Sequence, residues 1–322
     1  MGELEDAVSG ERKRHGDHHY RLASPPAAAR TARFIDSPCL RLRLARPRSQ
    51  TRLAARVAEP PRPPLGSHGH LHQLPTGWYL RGAMDNLELG LAGKIAIVTG
   101  ASEGLGRATA ERFARSGAKV AMCARRKDVL EGAADLIRRA TGADLLALQC
   151  DVTRPDQIEA FVAATVARWG GVDILVNNAG TSAAAGFEEV DDVTWQTDID
   201  LKLMAAVRLC RLVIPHMKRR GGGRIVNVTT VGGKAPAARA LPTSVTRAAG
   251  INLTKALANE YAVDKILVNT ICLGVVKSGQ WERRMTGDPE TFYREMAAKR
   301  RVPLERFGEA HEFADRRSRC SC

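Results

Sequence analysis

Short apolar runs and helical stretches alternate along the chain from Leu91 onward. The apolar, partly β-branched runs are KIAIVTG (94–100), AKVAMCA (118–124), DLLALQCDV (144–152), VDILVNNAG (172–180), GRIVNVTT (223–230) and ILVNTICLG (266–274). Between them apolar residues recur at helical spacing, as in Ile158, Phe161, Val162 and Val166. Strands that are apolar on both faces and alternate with helices are typical of a parallel sheet covered on both sides. The pattern therefore predicts an α/β fold, a doubly wound parallel sheet (Rossmann fold) in three α/β/α layers.

The first 83 residues have a different composition. They carry fourteen Lys and Arg against seven Asp and Glu, nine of the fifteen prolines and six of the eight histidines, with neither strand nor helix periodicity. We expect residues 1–83 to be a disordered basic extension, inert and solvated. A nucleic-acid-binding arm or an organelle address is the alternative for such an Arg-rich segment, but the acidic start MGELEDAVSGE disfavours a transit peptide.

The seven cysteines show no CxxC pair and no metal spacing with histidine. Several lie in apolar runs such as VAMCA, where cysteine behaves as a small buried hydrophobe. This usage favours a reducing, cytoplasmic location and no metal site. No apolar run has the length of a signal peptide or membrane span, so no membrane is expected as a partner. Because the basic extension is interpreted as an inert solvated tail, no nucleic acid is expected as a partner either.

The first predicted strand runs directly into TGASEGLGRATAERFA. Gly100, Gly104 and Gly106 lie where the chain must turn tightly, admit a diphosphate to the backbone and pack a helix onto the strand. The helix N-terminus adds unpaired N–H groups and a partial positive charge. A glycine pattern in this position, between a strand and a helix, predicts nucleotide binding.

TGASEGLG, the CDV after the third strand and the NNAG after the fourth together resemble the short-chain dehydrogenase/reductase family, from about Leu89 to Asp315. The resemblance implies an NAD(P)(H)-dependent oxidoreductase that acts on a small carbonyl or alcohol substrate. It also implies that Asp151 and Val152 contact the adenine and that NNAG supports the cofactor and the central strand. The cofactor-binding positions implied are Thr99, Gly100, Ser102, Gly104, Leu105, Gly106, Asp151, Val152, Asn178, Ala179, Gly180, Arg247, Gly274 and Ser278.

The end of the second strand, CARRKD, bears on the choice of cofactor. Relatives that use NAD tend to carry Asp where this chain has Ala124, and Arg125 and Arg126 follow it. Guanidinium groups suit a 2′-phosphate, so NADP(H) is favoured over NAD(H) and both arginines are predicted to bind it. Glu103 in the glycine loop opposes this choice, since its charge repels a phosphate.

The family's four catalytic positions are all substituted here. Family members carry a Tyr, a Lys four residues later, a Ser thirteen residues before the Tyr, and an Asn on the preceding long helix. In this chain these positions correspond to Thr243, Arg247, Thr230 and Asp200. A literal Tyr-x-x-x-Lys does occur in YAVDK (261–265), but it lies too late in the chain, and we interpret it as a helix end that turns into a loop.

These substitutions change the expected chemistry. A threonine hydroxyl does not reach the pKa of a lowered phenol, whereas Arg247 stays protonated and is able to hold ribose hydroxyls. We therefore expect an oxidoreductase with an atypical proton route through water, Ser244 or the substrate, or alternatively a catalytically weak dinucleotide-binding sensor or partner protein. An ion pair between Asp200 and Arg247 is one hypothesis, and the other is that Asp200 points elsewhere.

The C-terminal part departs from the family as well. WERRMTGDPETFYREMAAKRR is predicted to form a helical lid, in which Trp281, Met285, Phe292 and Met296 either line a pocket or make core contacts. After VPLERFGEAHEFAD the chain reads RRSRCSC and lacks the family's last strand. We therefore predict a domain over 84–315 and an aberrant tail over 316–322. The family's homo-oligomer is doubtful without that strand, which would leave the sixth strand as an exposed edge.

Overall fold

The computed structural model describes residues 89–283 and 285–320, with side chains as far as residue 315, so the predicted extension over 1–83 lies outside the described residues. The strands are β1 (Ile95–Thr99), β2 (Lys119–Ala124), β3 (Leu145–Gln149), β4 (Ile174–Asn177), β5 (Gly223–Thr230) and β6 (Ile266–Leu273). The α-helices are α1 (Gly104–Arg115), α2 (Lys127–Thr141), α3 (Pro155–Trp169), α4 (Asp192–Ile199), α5 (Ala205–Arg219), α6 (Thr243–Tyr261), α7 (Gly279–Glu282), α8 (Pro289–Lys299) and α9 (Ala310–Cys320). A π-helical segment, Asp200–Met204, joins α4 to α5. None of these described helices combines the length and the apolar character that crossing a membrane requires.

The strands form one parallel sheet in the order β3-β2-β1-β4-β5-β6. The chain winds outward in one direction from β1 and in the other direction from β4. The loops after these two strands therefore separate and open a crevice at their carboxyl ends, which is where such sheets bind ligands. The predicted doubly wound α/β fold is confirmed.

An apolar cluster covers each face of the sheet. Successive side chains of a strand point to opposite faces, so Ala96 and Val98 of β1 join one cluster and Ile97 joins the other. Helices α1 and α2 cover the first face, with Phe113 of α1 in its core, and α3 and α5 cover the second, with Phe161 of α3 in its core. Because both faces are committed to packing, the open edge at the strand ends is left for chemistry.

The last described elements close the fold near α1. β6 pairs only with β5 among the described strands, and its Leu267 and Asn269 are exposed. Helix α9 packs against α1, where Arg112 Nε lies 3.0 Å from Asp315 Oδ1. The boundary predicted at residue 315 falls inside α9, whose helical backbone continues to Cys320.

Candidate active site

A cleft of about 1280 Å³ opens along the carboxyl ends of the strands. Parallel strands bring the loops that follow them to one edge of the sheet, so residues far apart in sequence meet there. The predicted site residues that line it are Gly100, Ser102, Gly104, Leu105, Gly106, Arg125, Arg126, Asp151, Val152, Asn178, Ala179, Gly180, Thr230, Thr243, Arg247, Gly274 and Ser278. Among the predicted cofactor-binding and catalytic positions, Thr99 and Asp200 lie outside its lining, as does Ser244, which was considered for the proton route.

The glycine loop after β1 leaves its backbone open to the cleft. Gly100 has φ +63°, and a Cβ there would lie 2.9 Å from the Cα of Ala179. A Cβ on Gly106 would overlap the carbonyl oxygen of Gly100. Since no side chain fits at either position, the backbone at Gly100 and Gly106 stays uncovered, next to the N–H groups at the start of α1. This cradle fits the diphosphate of a dinucleotide.

Thr99 supports this loop from below. Its hydroxyl oxygen accepts hydrogen bonds from the backbone N–H groups of Asn178 and Ala179, each at 3.0 Å. Asn178 Nδ2 in turn donates to the carbonyl oxygens of Thr99, at 2.9 Å, and Gly100, at 3.1 Å. Thr99 is buried, so its role is to join β1 to the segment after β4.

The other end of the cleft is basic. Arg125 and Arg126 follow β2 directly and line the cleft together with Asp151. Arg126 Nη2 lies 2.9 Å from Glu103 Oε2, so the carboxylate that was expected to oppose a phosphate is paired with one of the two arginines. Asp151 Oδ1 accepts hydrogen bonds from the N–H and the hydroxyl of Thr153.

Thr243, the first residue of α6, lines the cleft. The hydroxyl oxygen accepts a hydrogen bond from the N–H of Ala183 at 3.0 Å and another from Lys202 Nζ at 2.9 Å. A hydroxyl oxygen accepts two hydrogen bonds and donates one. With both acceptor positions used, the hydrogen of Thr243 is left to donate to a group in the cleft.

Lys202 and Asp198 form a buried ion pair behind Thr243. The two side chains are 0% and 2% exposed, and Asp198 Oδ2 also accepts the hydroxyl of Thr246 at 2.6 Å. Burial, with a contribution from the Arg247 charge, lowers the pKa of Lys202 to about 8, although Asp198 acts in the opposite direction. A lysine with this pKa exchanges protons near neutral pH, which an exposed lysine does not.

The structure corrects the role predicted for Asp200. Its Oδ1 accepts Arg208 Nη2 at 3.1 Å and its Oδ2 accepts Gln196 Nε2 at 2.9 Å. Arg247 Nη1 instead donates to the carbonyl oxygen of Val228 at 2.6 Å, so the hypothesised ion pair with Asp200 is wrong. Asp200 begins the π-helical segment, and the wider turn of that segment changes which side chains point inward.

Sequence reasoning missed both Lys202 and Asp198. One signal was present, because Lys202 falls on the same helical stripe as the buried Ala206, Leu209 and Val213. A lysine on an apolar stripe needs a partner, and Asp198 lies four residues before it. The periodicity of LKLMAAVRLCRLV therefore predicts that Lys202 is buried and needs a partner, which the family motif did not indicate.

Arg247 lies one helical turn after Thr243 and is largely buried. The guanidinium packs directly against Gly180 of the NNAG turn, since a Cβ there would lie 2.5 Å from Arg247 Nη2. Burial lowers the pKa of Arg247 to about 10, against the effect of Asp198, and the group stays charged at neutral pH. The cleft thus keeps a fixed positive charge close to Thr243.

Two other hydroxyls predicted near the reaction differ in position. Thr230, the last residue of β5, lines the cleft as expected. Ser244 is buried and is absent from the cleft lining, so the proposed route through Ser244 is wrong.

Tyr261 of the YAVDK motif ends α6 at the far end from Thr243, and Lys265 has the left-handed φ of a turn, which confirms the interpretation as a helix end.

The lid segment closes one side of the cleft. Of the four residues considered for it, Trp281 lines the cleft, and its ring lies 5.2 Å from that of Phe307 and 6.5 Å from that of Phe292. Gln280 Nε2 donates to the carbonyl oxygen of Gly180 at 3.1 Å, and Arg283 Nη1 lies 3.0 Å from Glu103 Oε1. The start of the lid, taken here from Gly279, is therefore attached to the NNAG turn and to the glycine loop.

The fold and the cleft define a dinucleotide-binding protein of Rossmann type. The family model for short chain dehydrogenase matches residues 94–288, and the chain belongs to that family of oxidoreductases. Over 232 aligned residues the chain is 35% identical to L-fucose dehydrogenase from Oryctolagus cuniculus. The alignment covers 69% of this chain and 76% of that protein. The predicted family is confirmed.

Two solved structures are similar as well. One is L-sorbose reductase from Gluconobacter frateurii in complex with NADPH and L-sorbose, with 35% identity, a TM-score of 0.69 and coverage of 73% of this chain and 92% of that one. The other is an NADPH-bound short chain oxidoreductase from Pseudomonas aeruginosa PAO1, described as containing an atypical catalytic center. That protein is 35% identical to this chain, and the two structures superpose with a TM-score of 0.68. The match covers 71% of this chain and 90% of the Pseudomonas aeruginosa chain.

Proposed function

We propose that this protein is an NADP(H)-dependent carbonyl reductase whose proton route runs through Thr243 and Lys202. NADPH is favoured because Arg125 and Arg126 line the adenosine end of the cleft and because both similar solved structures carry NADPH. When bound, the cofactor supplies the hydride that becomes the new C–H bond of the substrate. The substrate class is a small ketone or aldehyde, with the alcohol as substrate in the reverse direction.

Thr243 is the group that contacts the substrate. Its hydroxyl hydrogen is free to donate to a carbonyl oxygen, because Ala183 and Lys202 already occupy both acceptor positions. As negative charge develops on the carbonyl oxygen, the Thr243 proton moves to it and a proton from the Lys202 ammonium replaces it on Thr243. The threonine therefore never carries a full negative charge, which its high intrinsic pKa forbids.

Thr230, Arg247 and Asp198 are proposed to hold and orient the substrate, the cofactor and Lys202. Thr230 lines the same cleft and is proposed as a second hydrogen-bond donor for the carbonyl. Arg247 remains charged and is the residue proposed to hold the nicotinamide ribose. Asp198 keeps Lys202 in place and offsets the cost of burying its charge.

The single observation that carries this proposal is the pair of hydrogen bonds that Thr243 accepts while it lines the cleft. It is tested by titrating NADPH against protein fluorescence and then following NADPH oxidation with a panel of ketones that includes L-sorbose, β-ketoacyl thioesters and quinones. Turnover that is lost in Thr243→Val and in Lys202→Met, with NADPH binding retained in both, supports the proposal. Tight binding without turnover of any ketone would instead indicate the dinucleotide-binding sensor. A cytoplasmic location stays a prediction from the cysteines.

A further inference from the structure

The carboxylate of Glu103 lies where the glycine loop, the end of β2 and the lid meet. Its Oε2 is 2.9 Å from Arg126 Nη2, and its Oε1 is 3.0 Å from Arg283 Nη1. The start of the lid packs on the same group, since a Cβ on Gly279 would lie 3.2 Å from Glu103 Oε2. One carboxylate thus joins an arginine that faces the cofactor's adenosine end to an arginine of the lid.

We infer that Glu103 is a specificity-determining residue that couples recognition of the cofactor 2′-phosphate to closure of the lid. The inference rests on the proposed NADP(H) dependence. A 2′-phosphate at Arg126 carries more charge than a carboxylate and takes that guanidinium from Glu103. Because the phosphate displaces Glu103 from Arg126 and repels it, Glu103 then pairs with Arg283 alone. The ion pair that holds the lid is thereby strengthened. NADH lacks the phosphate, so Arg126 stays with Glu103 and the lid gains nothing.

The exposure of the cluster suits an exchange of partners. The side chains of Glu103, Arg126 and Arg283 are 40%, 55% and 57% exposed. Exposed ion pairs are weak, so a stronger anion displaces one at little cost. Although burial acts to raise it, hydrogen bonds from Arg283 and Arg126 lower the pKa of Glu103 below its ordinary value, so the group is ionised at neutral pH.

The lid has a second attachment that separates the two roles of Glu103. The Gln280 side-chain amide hydrogen-bonds to the backbone of Gly180 and Ser182, and these bonds do not involve the carboxylate. Removing the Gln280 amide therefore loosens the lid without changing the charge near the 2′-phosphate. Removing the Glu103 charge changes both.

The test measures NADPH and NADH dissociation constants by fluorescence titration and lid closure by acrylamide quenching of Trp281, with Trp281→Phe as the reference for the other tryptophans. In wild type we expect NADPH to protect Trp281 from quenching more than NADH does. Glu103→Gln should bind NADPH about threefold to tenfold more tightly because a repulsive charge is lost, with NADH changed less than twofold, and should abolish the extra protection. Gln280→Ala and Arg283→Gln should increase quenching without tightening NADPH.

Glu111→Gln is the matched control, because Glu111 forms a similarly exposed pair with Arg115 on α1 and does not line the cleft. It should leave both cofactors and the quenching unchanged. Equal changes in NADPH and NADH affinity for Glu103→Gln, or identical protection of Trp281 by the two cofactors in wild type, would overturn the inference. A wild-type protein that binds neither cofactor would instead refute the proposed function itself.

Discussion

Two charged clusters flank the same cleft and differ in their contact with water. The Lys202–Asp198 pair behind Thr243 has side chains that are 0% and 2% exposed, whereas the side chains around Glu103 are 40% to 57% exposed. In a dry environment charges interact strongly and pKa values shift, while water and salt weaken the exposed cluster. This difference in exposure is the reason that we propose proton transfer for the buried pair and an exchange of binding partners for the exposed cluster.

Thr243→Val removes the hydroxyl through which the buried pair reaches the cleft. We expect kcat for ketone reduction to fall by about 10² to 10⁴, the range for losing a positioned general acid. Thr243→Ser keeps the hydroxyl and should stay within about tenfold of wild type by the same reasoning. Steady-state rates with saturating NADPH check both, and a valine variant with near-normal kcat would contradict the role of Thr243.

Asp198→Ala leaves the Lys202 charge buried without its carboxylate. We expect the free energy of unfolding to fall by about 3–5 kcal/mol, measured by denaturant titration. The double variant Asp198→Leu, Lys202→Met removes both charges and should recover most of that loss while remaining inactive. If the double variant is as unstable as the single one, the loss arises from packing and not from the charge.

The pH profile distinguishes the buried lysine from an exposed one. Lys202 donates in its protonated form, whose fraction falls above its pKa of about 8, so kcat for reduction should decline above that pH. The decline approaches about tenfold per pH unit, and alcohol oxidation, which needs the neutral lysine, should rise over the same range. Residual activity of Lys202→Met should show no such inflection. An inflection that persists in this variant would assign the titration to another group.

Glu103→Gln tests the exposed cluster for stability. Because its ion pairs lie in water, we expect the free energy of unfolding to change by less than about 1 kcal/mol. Denaturant midpoints at low and high salt measure this directly. A larger loss in the free energy of unfolding would mean that the exposed cluster stabilises the fold, as the buried pair does.

Asp200→Asn should have the smallest effect. Asp200 contacts Arg208 and Gln196 outside the cleft, so we expect kcat to change by less than about threefold, as for an ordinary surface substitution. The same assay with Lys202→Met provides the contrast. A large loss in the Asp200 variant would restore the residue to the catalytic group.

Local signals in the sequence were sufficient for the fold. The six apolar runs correspond to β1 to β6 within a few residues at each end, because parallel strands buried on both faces are apolar throughout. The structural need for glycine in the loop after β1 was also predictable, since Gly100 and Gly106 occupy positions that exclude a Cβ. Most of the predicted cofactor-binding positions line the cleft, because the loops that carry them follow the strands directly.

The contacts on which the proposed proton route rests were not predictable from such local signals. A motif match placed Asp200 at the catalytic position, and only the packed structure shows that the π-helical segment turns Lys202 toward Thr243 instead. Periodicity and backbone sterics act over a few residues, so the parallel sheet and the glycine loop after β1 were predictable from the sequence. Tertiary structure alone decided which ionisable groups meet behind Thr243 and around Glu103, because those contacts join residues from separate elements and depend on the rotation of each helix against its neighbours.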